Sequence, residues 1–213
     1  MPASTDRLTA TTFAIAMSLT VVASMLHAAA SNLDDESLRA VLRYTGRIAF
    51  VLLVVVFAAR PLQQLFRRPW SAWLLRNRRQ LGVAFAGIHI GHLVLIGLRV
   101  SESPDLELTD ILSLSGAVVY AVILAMLVTS FQRPAQMIGR RSWTVLHTIG
   151  IYILFIGFSV SQLPSPPGEF DTANRVLLTL AAAALALRVF AFIRARRRPL
   201  PQSRRTGGRR SAR

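Results

Sequence analysis

The sequence predicts an all-α membrane protein, a bundle of six transmembrane helices, and three observations lead to it. Of its 213 residues 53% are hydrophobic and only 16% charged, a balance typical of membrane chains rather than soluble domains. The apolar residues gather in six runs, several about 20 residues long, which is the length that crosses the hydrocarbon of a bilayer. The connections between the runs alternate in charge, as they do when a chain crosses a membrane repeatedly.

The runs cover residues 9–30, 48–66, 81–100, 111–131, 143–163 and 176–193. Leu, Val, Ala and Ile dominate all six. With no water in the hydrocarbon to satisfy backbone N–H and C=O groups, helix is the form open to them. Residues 1–8 form a short leader, 9–194 the helical domain, and 195–213, rich in Pro, Ser, Gly and Arg, a basic tail expected to be disordered. Ala28-Ala29-Ala30 before Ser31 resembles a small-residue cleavage site. A run this long, preceded only by Arg7 offset by Asp6, reads as a retained anchor rather than a signal peptide.

The net charge of +15 comes from arginine alone, because the chain has no lysine. Arg67, Arg68, Arg76, Arg78 and Arg79 follow the second run, Arg133, Arg140 and Arg141 follow the fourth, and Arg194, Arg196, Arg197 and Arg198 open the tail. The other three connections carry Asp34, Asp35 and Glu36, then Glu102, Asp105, Glu107 and Asp110, then Glu169 and Asp171. The positive-inside rule therefore puts both termini in the cytoplasm of a bacterial inner-membrane protein. No aromatics interleave the tail arginines, so membrane lipid rather than nucleic acid is the expected anionic partner. The chain also has no cysteine. That excludes disulfides, thiolate metal sites, covalent c-type heme and iron–sulfur clusters ligated by this chain.

All four histidines (His27, His89, His92 and His147) lie in or at the edge of apolar runs, where an ionisable group is expensive and is a candidate for function. Imidazoles facing each other inside a helical bundle suit heme b, whose iron takes axial nitrogens from neighbouring helices. His89 and His92 are three residues apart on one helical face, so they cannot ligate one iron from opposite sides. One is expected to ligate while the other hydrogen-bonds a propionate, a water or a neighbouring helix. By a rise of 1.5 Å per residue His92 lies about 16 Å, His89 about 12 Å and His147 about 6 to 8 Å from the inner ends of their runs, which favours His89 over His92 as the partner of His147. The alternative for each is a structural histidine satisfied by an interhelical hydrogen bond. His27, near the outer end of the first run, reads as interfacial.

Ala84, Ala86, Gly87 and Gly91 beside the histidine pair leave room for a flat cofactor, or equally allow close small-xxx-small helix packing. Arg60, Arg78, Arg79, Arg140 and Arg141 suit propionates or an electron donor, although snorkelling and topology also account for them. Arg188, within two turns of the inner end of the last run, is expected to snorkel. No nucleotide-binding glycine loop, His-Glu-x-x-His or nucleophile elbow occurs, so hydrolase and phosphotransferase readings have no support.

Thr45-Gly46-Arg47, Arg60-Pro61-Leu62, Arg78-Arg79-Gln80-Leu81-Gly82 with His92 ten residues on, Leu127-Val128-Thr129-Ser130, Arg140-Arg141-Ser142-Trp143 and Leu146-His147 occur in this order over residues 45–160. The series resembles the ferric reductase-like transmembrane domain family. The resemblance implies a six-helix heme b domain whose third and fifth helices supply axial histidines, at His92 and His147, with His89 replacing or assisting His92. It also implies an electron-transfer subunit of an oxidoreductase, moving electrons from a cytoplasmic reductase or quinol to an acceptor on the outer face. Any flavin or quinone would come from a partner. The family expects a second histidine thirteen residues after His147, where this chain has Val160, so one heme is expected. The alternative is a non-catalytic scaffold or assembly protein that kept the fold and lost heme sites.

Overall fold

A computed structural model describes residues 2–30, 35–102, 114–163 and 171–197, and these residues form seven helices. They are α1 (Pro2–Ala30), α2 (Asp35–Phe66), α3 (Pro69–Arg76), α4 (Arg78–Glu102), α5 (Leu114–Val128), α6 (Gln132–Val160) and α7 (Thr172–Arg196). Five of them are long and apolar enough to cross a membrane: α1, α2, α4, α6 and α7. The fourth apolar run is the 15-residue α5, shorter than the roughly 20 residues a crossing needs. Its expected start at residues 111–113 lies outside the described residues.

Two elements differ from expectation. α2 begins at Asp35 rather than at residue 48, so Arg39, Arg43 and Arg47 ride on its first turns. A 32-residue helix is about 48 Å long and exceeds the hydrocarbon thickness, which leaves those charged turns outside it. The basic stretch after α2, expected as a loop, folds into α3. Arg67 ends α2 with φ 47°, Pro69 sits in the first turn of α3, and the Arg68 N–H donates to Ser71 Oγ at 3.1 Å. Trp70 and Trp73 project from α3 as exposed side chains, the position of interfacial anchors. α6 is broken at Gly139, whose φ of 76° is non-helical, so residues 132–138 form a short segment at an angle to the crossing helix.

α2 is the central helix, touching α1, α3, α4, α6 and α7. Its Phe50, Leu53 and Phe57 are almost fully buried against Phe85 of α4, Ile123 of α5, Leu154, Phe155 and Phe158 of α6, and Ala181 and Ala184 of α7. The Phe57 and Phe155 rings stack with centroids 4.0 Å apart. Large apolar side chains such as Leu26, Ile156, Val189 and Phe192 stay exposed on the outer faces, as a lipid-facing surface requires.

The room beside Gly87 and Gly91 is filled by α1. A Cβ on Gly87 would stand 2.8 Å from the Phe13 carbonyl oxygen and 2.9 Å from Ala16 Cβ, and one on Gly91 would meet Thr20 Cβ at 3.1 Å. Gly87 and Gly91 are therefore a close helix-packing face against α1 and leave no room for a flat cofactor there, while Ala86 lines a cavity. The buried Thr9 and Thr20 of α1 return their hydroxyls to Thr5 O and Ala16 O, so the interface leaves no orphaned polar group there. Gly87→Ala is expected to destabilise the bundle by about 1–3 kcal/mol through overpacking. Gly97→Ala, where a Cβ meets nothing within 4 Å, is the control, and thermal unfolding in detergent reads the difference.

Arg188 departs from the expected snorkelling. It turns into the bundle, donates from Nη1 to the Phe57 carbonyl at 3.1 Å, and lies over the Phe57 and Tyr152 rings at 4.3 and 4.7 Å from their centroids. The reason is Pro61 inside α2. Proline has no N–H to give to the carbonyl four residues back, which is that of Phe57, and the guanidinium replaces the missing donor.

Candidate functional site

The histidines line two cavities. One, of about 700 Å³, is walled by His89 and His92 of α4, Gly46 of α2, Val119 and Tyr120 of α5, and Gly157, Phe158 and Val160 of α6, with Arg43, Arg47, Gln162 and Asn174 also in its lining. The other, of about 490 Å³, is lined by His147, Trp143, Thr129, Ser130 and the arginines Arg60, Arg76, Arg78 and Arg79. Both volumes lie in the range of small-molecule and cofactor sites.

In the first cavity His92 is oriented by α2. Its Nδ1 is 2.7 Å from Thr45 Oγ1, and that hydroxyl already donates its hydrogen to Val41 O at 3.0 Å. Thr45 Oγ1 is therefore the acceptor and His92 Nδ1–H the donor, which leaves the lone pair on Nε2. A histidine with one ring nitrogen donating to a fixed neighbour is the usual form of a metal ligand. His89 is buried in a stack of rings. Its centroid lies 5.3 Å from that of His92, 4.9 Å from Tyr120, 4.7 Å from Phe158 and 5.8 Å from Phe85. Its Nδ1 and the Tyr120 hydroxyl are buried without a hydrogen-bond partner. Two orphaned polar atoms in the wall of one cavity are costly unless a bound group meets them. The outer rim is polar. Arg47 bonds Asp171 and also donates to Asn174 Oδ1 at 3.1 Å, and Asp171 caps α7 through the Ala173 N–H at 3.2 Å. That N–H and the Arg47 guanidinium hold the Asp171 carboxyl below the usual carboxylate range.

His147 is engaged differently. Its Nε2 lies 3.0 Å from Thr129 Oγ1, whose own hydrogen goes to Ala125 O at 2.7 Å, so Nε2–H is the donor. Trp143 stacks on the imidazole at 4.2 Å and donates Nε1–H to the Thr129 carbonyl at 2.9 Å. Beside this corner, Arg79 bonds the Ser130 carbonyl and lies 3.6 Å from Asp6, which accepts the Gln132 N–H at 3.0 Å. The N-terminal ends of α1, α4 and α6 and the C-terminal end of α5 are tied together here.

The structure thus brings His89 and His92 together and does not bring His147 to them. The His89 ring touches Phe158, which lies eleven residues beyond His147 on α6, or about 16 Å along the helix axis. His147 and the α4 histidines, expected from the sequence to share one iron, thus line different cavities. His27 is exposed at the far end of α1 and belongs to neither cavity. Thr45, Tyr120 and Thr129 were not among the expected site residues, although Thr45 and Thr129 stand inside the motifs that carried the resemblance.

A helical membrane bundle with imidazole-lined cavities between α2, α4, α5 and α6 is the class of protein these observations define. The sequence of residues 45–158 matches the ferric reductase like transmembrane component family, and the chain belongs to it. It is similar to the protein-methionine-sulfoxide reductase heme-binding subunit MsrQ of Cronobacter sakazakii, 33% identical over 126 residues that are 53% of this chain and 57% of that protein. The MsrQ of Klebsiella pneumoniae subsp. pneumoniae is 31% identical over 155 residues, 67% of this chain and 70% of that protein. The MsrQ of Salmonella dublin is 28% identical over 170 residues, 74% and 79% of the two chains. The chain thus spans little more than half the length of the first of these relatives. No solved structure matches. Family and helix lengths together make this a membrane protein of the ferric reductase like transmembrane component family.

Proposed function

We propose that the chain binds heme b in the 700 Å³ cavity and carries electrons from a cytoplasmic reductase or membrane quinol toward an acceptor protein on the outer face. The observation that carries the reading is His92, whose Nδ1 lies 2.7 Å from Thr45 Oγ1, so that Nε2 is clear of that bond and would be the nitrogen offered to iron. His92 is the proposed axial ligand, with His89 as its alternative on the same helix. His147 is the corresponding residue of the other cavity, with Nε2 on Thr129 and Nδ1 clear of that bond. Heme, when bound, supplies a one-electron couple at iron. The chain's own residues would exclude water with Ile96, Phe158 and Val119 and meet propionates with Arg43, Arg47 and Asn174.

The proposed topology is six crossings, α5 among them, with both termini cytoplasmic in a bacterial inner membrane, residues 9–194 as the heme-binding domain and 195–213 as a basic tail. The relatives' name suggests the acceptor, a protein-methionine-sulfoxide reductase. The test is a dithionite-reduced minus oxidised spectrum of the detergent-purified chain from heme-replete cells, with heme quantified. A sharp b-type α band near one heme per chain is expected. A colourless preparation would favour the scaffold reading.

A further inference from the structure

The walls of the 700 Å³ cavity are unequal in ligating groups. Both imidazoles stand on α4, three residues apart, with rings 7° from parallel. Two side chains so placed reach a planar macrocycle from the same side, so only one can be axial to a given iron. Among the described residues the remaining lining offers no further imidazole and no thioether or thiolate. α6 contributes Gly157, Phe158, Val160 and Ser161, and α5 contributes Gly116, Val119 and Tyr120. Tyr120 lies face to face with His89 at 24°, on the histidine side of the cavity. Val160 stands where the family expects a histidine, and it lines this cavity and not the inner one.

From this one-sided set of donors we infer that a heme held here is ligated by the protein from α4 alone, and that its opposite face, toward Val160, carries no protein ligand and is open to a small neutral diatomic ligand. The inference rests on the heme reading and extends it. A bundle built only to relay electrons closes both axial positions, since two fixed imidazoles limit rearrangement and exclude exogenous ligands. Val160 at the second position supplies no ligating atom and no charge to repel a diatomic, while the space beside Gly157 is closed by Val119, whose Cγ2 would stand 3.1 Å from an added Cβ.

The experiment uses the purified full chain and carbon monoxide as the probe. Reduced wild-type protein is expected to bind about one carbon monoxide per heme with a shifted Soret band, and the oxidised protein to give a high-spin ferric electron paramagnetic resonance signal. Val160→His, which places an imidazole on the open wall, is expected to convert both spectra to low spin and to weaken carbon monoxide binding by tenfold or more. Val160→Met provides a second ligating variant should the histidine fail to fold. A wild-type preparation that holds heme, is low spin and ignores saturating carbon monoxide would overturn the inference while leaving the heme reading intact. A preparation without heme would overturn both.

Discussion

His92→Ala is expected to empty the chain of heme, from about one per chain to below a tenth of that, without unfolding the bundle. The imidazole sits at the cavity rather than in the packed layer around Phe57, so its removal enlarges an existing space and opens no new one in the core. Thr45→Val tests the same assignment one bond away. It removes the acceptor of the His92 Nδ1–H and keeps the side-chain volume, and the loss of such an outer partner weakens metal binding by roughly 10- to 100-fold. His147→Ala gives the contrast. Its place on α6 is about 16 Å along the helix axis from Phe158, which bears on His89, so heme content is expected to stay near wild type while stability falls by about 1 kcal/mol for the lost hydrogen bond to Thr129. Pyridine hemochrome quantification against protein mass distinguishes the three. Full heme retention in His92→Ala with loss in His147→Ala would move the iron to the inner cavity.

These contrasts also show what the sequence could and could not convey. Apolar runs of bilayer length gave the crossing helices directly, because hydrophobicity alone decides them. The start of α2 was hidden because Arg39, Arg43 and Arg47 break the apolar pattern, yet a helix that has left the hydrocarbon continues as far as its neighbours support it, and here Asp171 and Asn174 receive Arg47. The glycines at 87 and 91 were legible as a close-approach face, but whether helix or cofactor came close depended on α1, which sequence spacing cannot dock. The histidines were legible as candidates and their grouping was not. Depth counted from the ends of runs carries errors of several residues, and these were enough to pair His147 with residues about 16 Å further along the bundle. The motif residues gain a physical meaning only in three dimensions. Thr45 orients His92, while Thr129 and Trp143 hold His147.

Arg188→Leu is expected to destabilise the bundle by about 1–3 kcal/mol, and the cost should depend on residue 61. In the wild type the Phe57 carbonyl has lost its helical donor to Pro61 and receives Arg188 Nη1 instead. Leucine at 188 leaves that carbonyl buried and unpaired, which carries the full desolvation penalty of the group. In a Pro61→Ala background the amide of residue 61 is restored, the carbonyl returns to its place in the α2 ladder, and Arg188→Leu is expected to cost much less. The coupling in the double-mutant cycle, read from unfolding in mixed micelles, should therefore account for most of the single-mutant effect. Equal costs in the two backgrounds would instead assign the role of Arg188 to its contacts with the Phe57 and Tyr152 faces, 4.3 and 4.7 Å away, which a restored amide at residue 61 does not replace. Either way the arginine fastens α7 to α2 beside the Phe57–Phe155 stack. The same core layer holds Phe158, whose ring bears on His89, so loosening α7 is expected to reach the cavity as a weaker hold on heme.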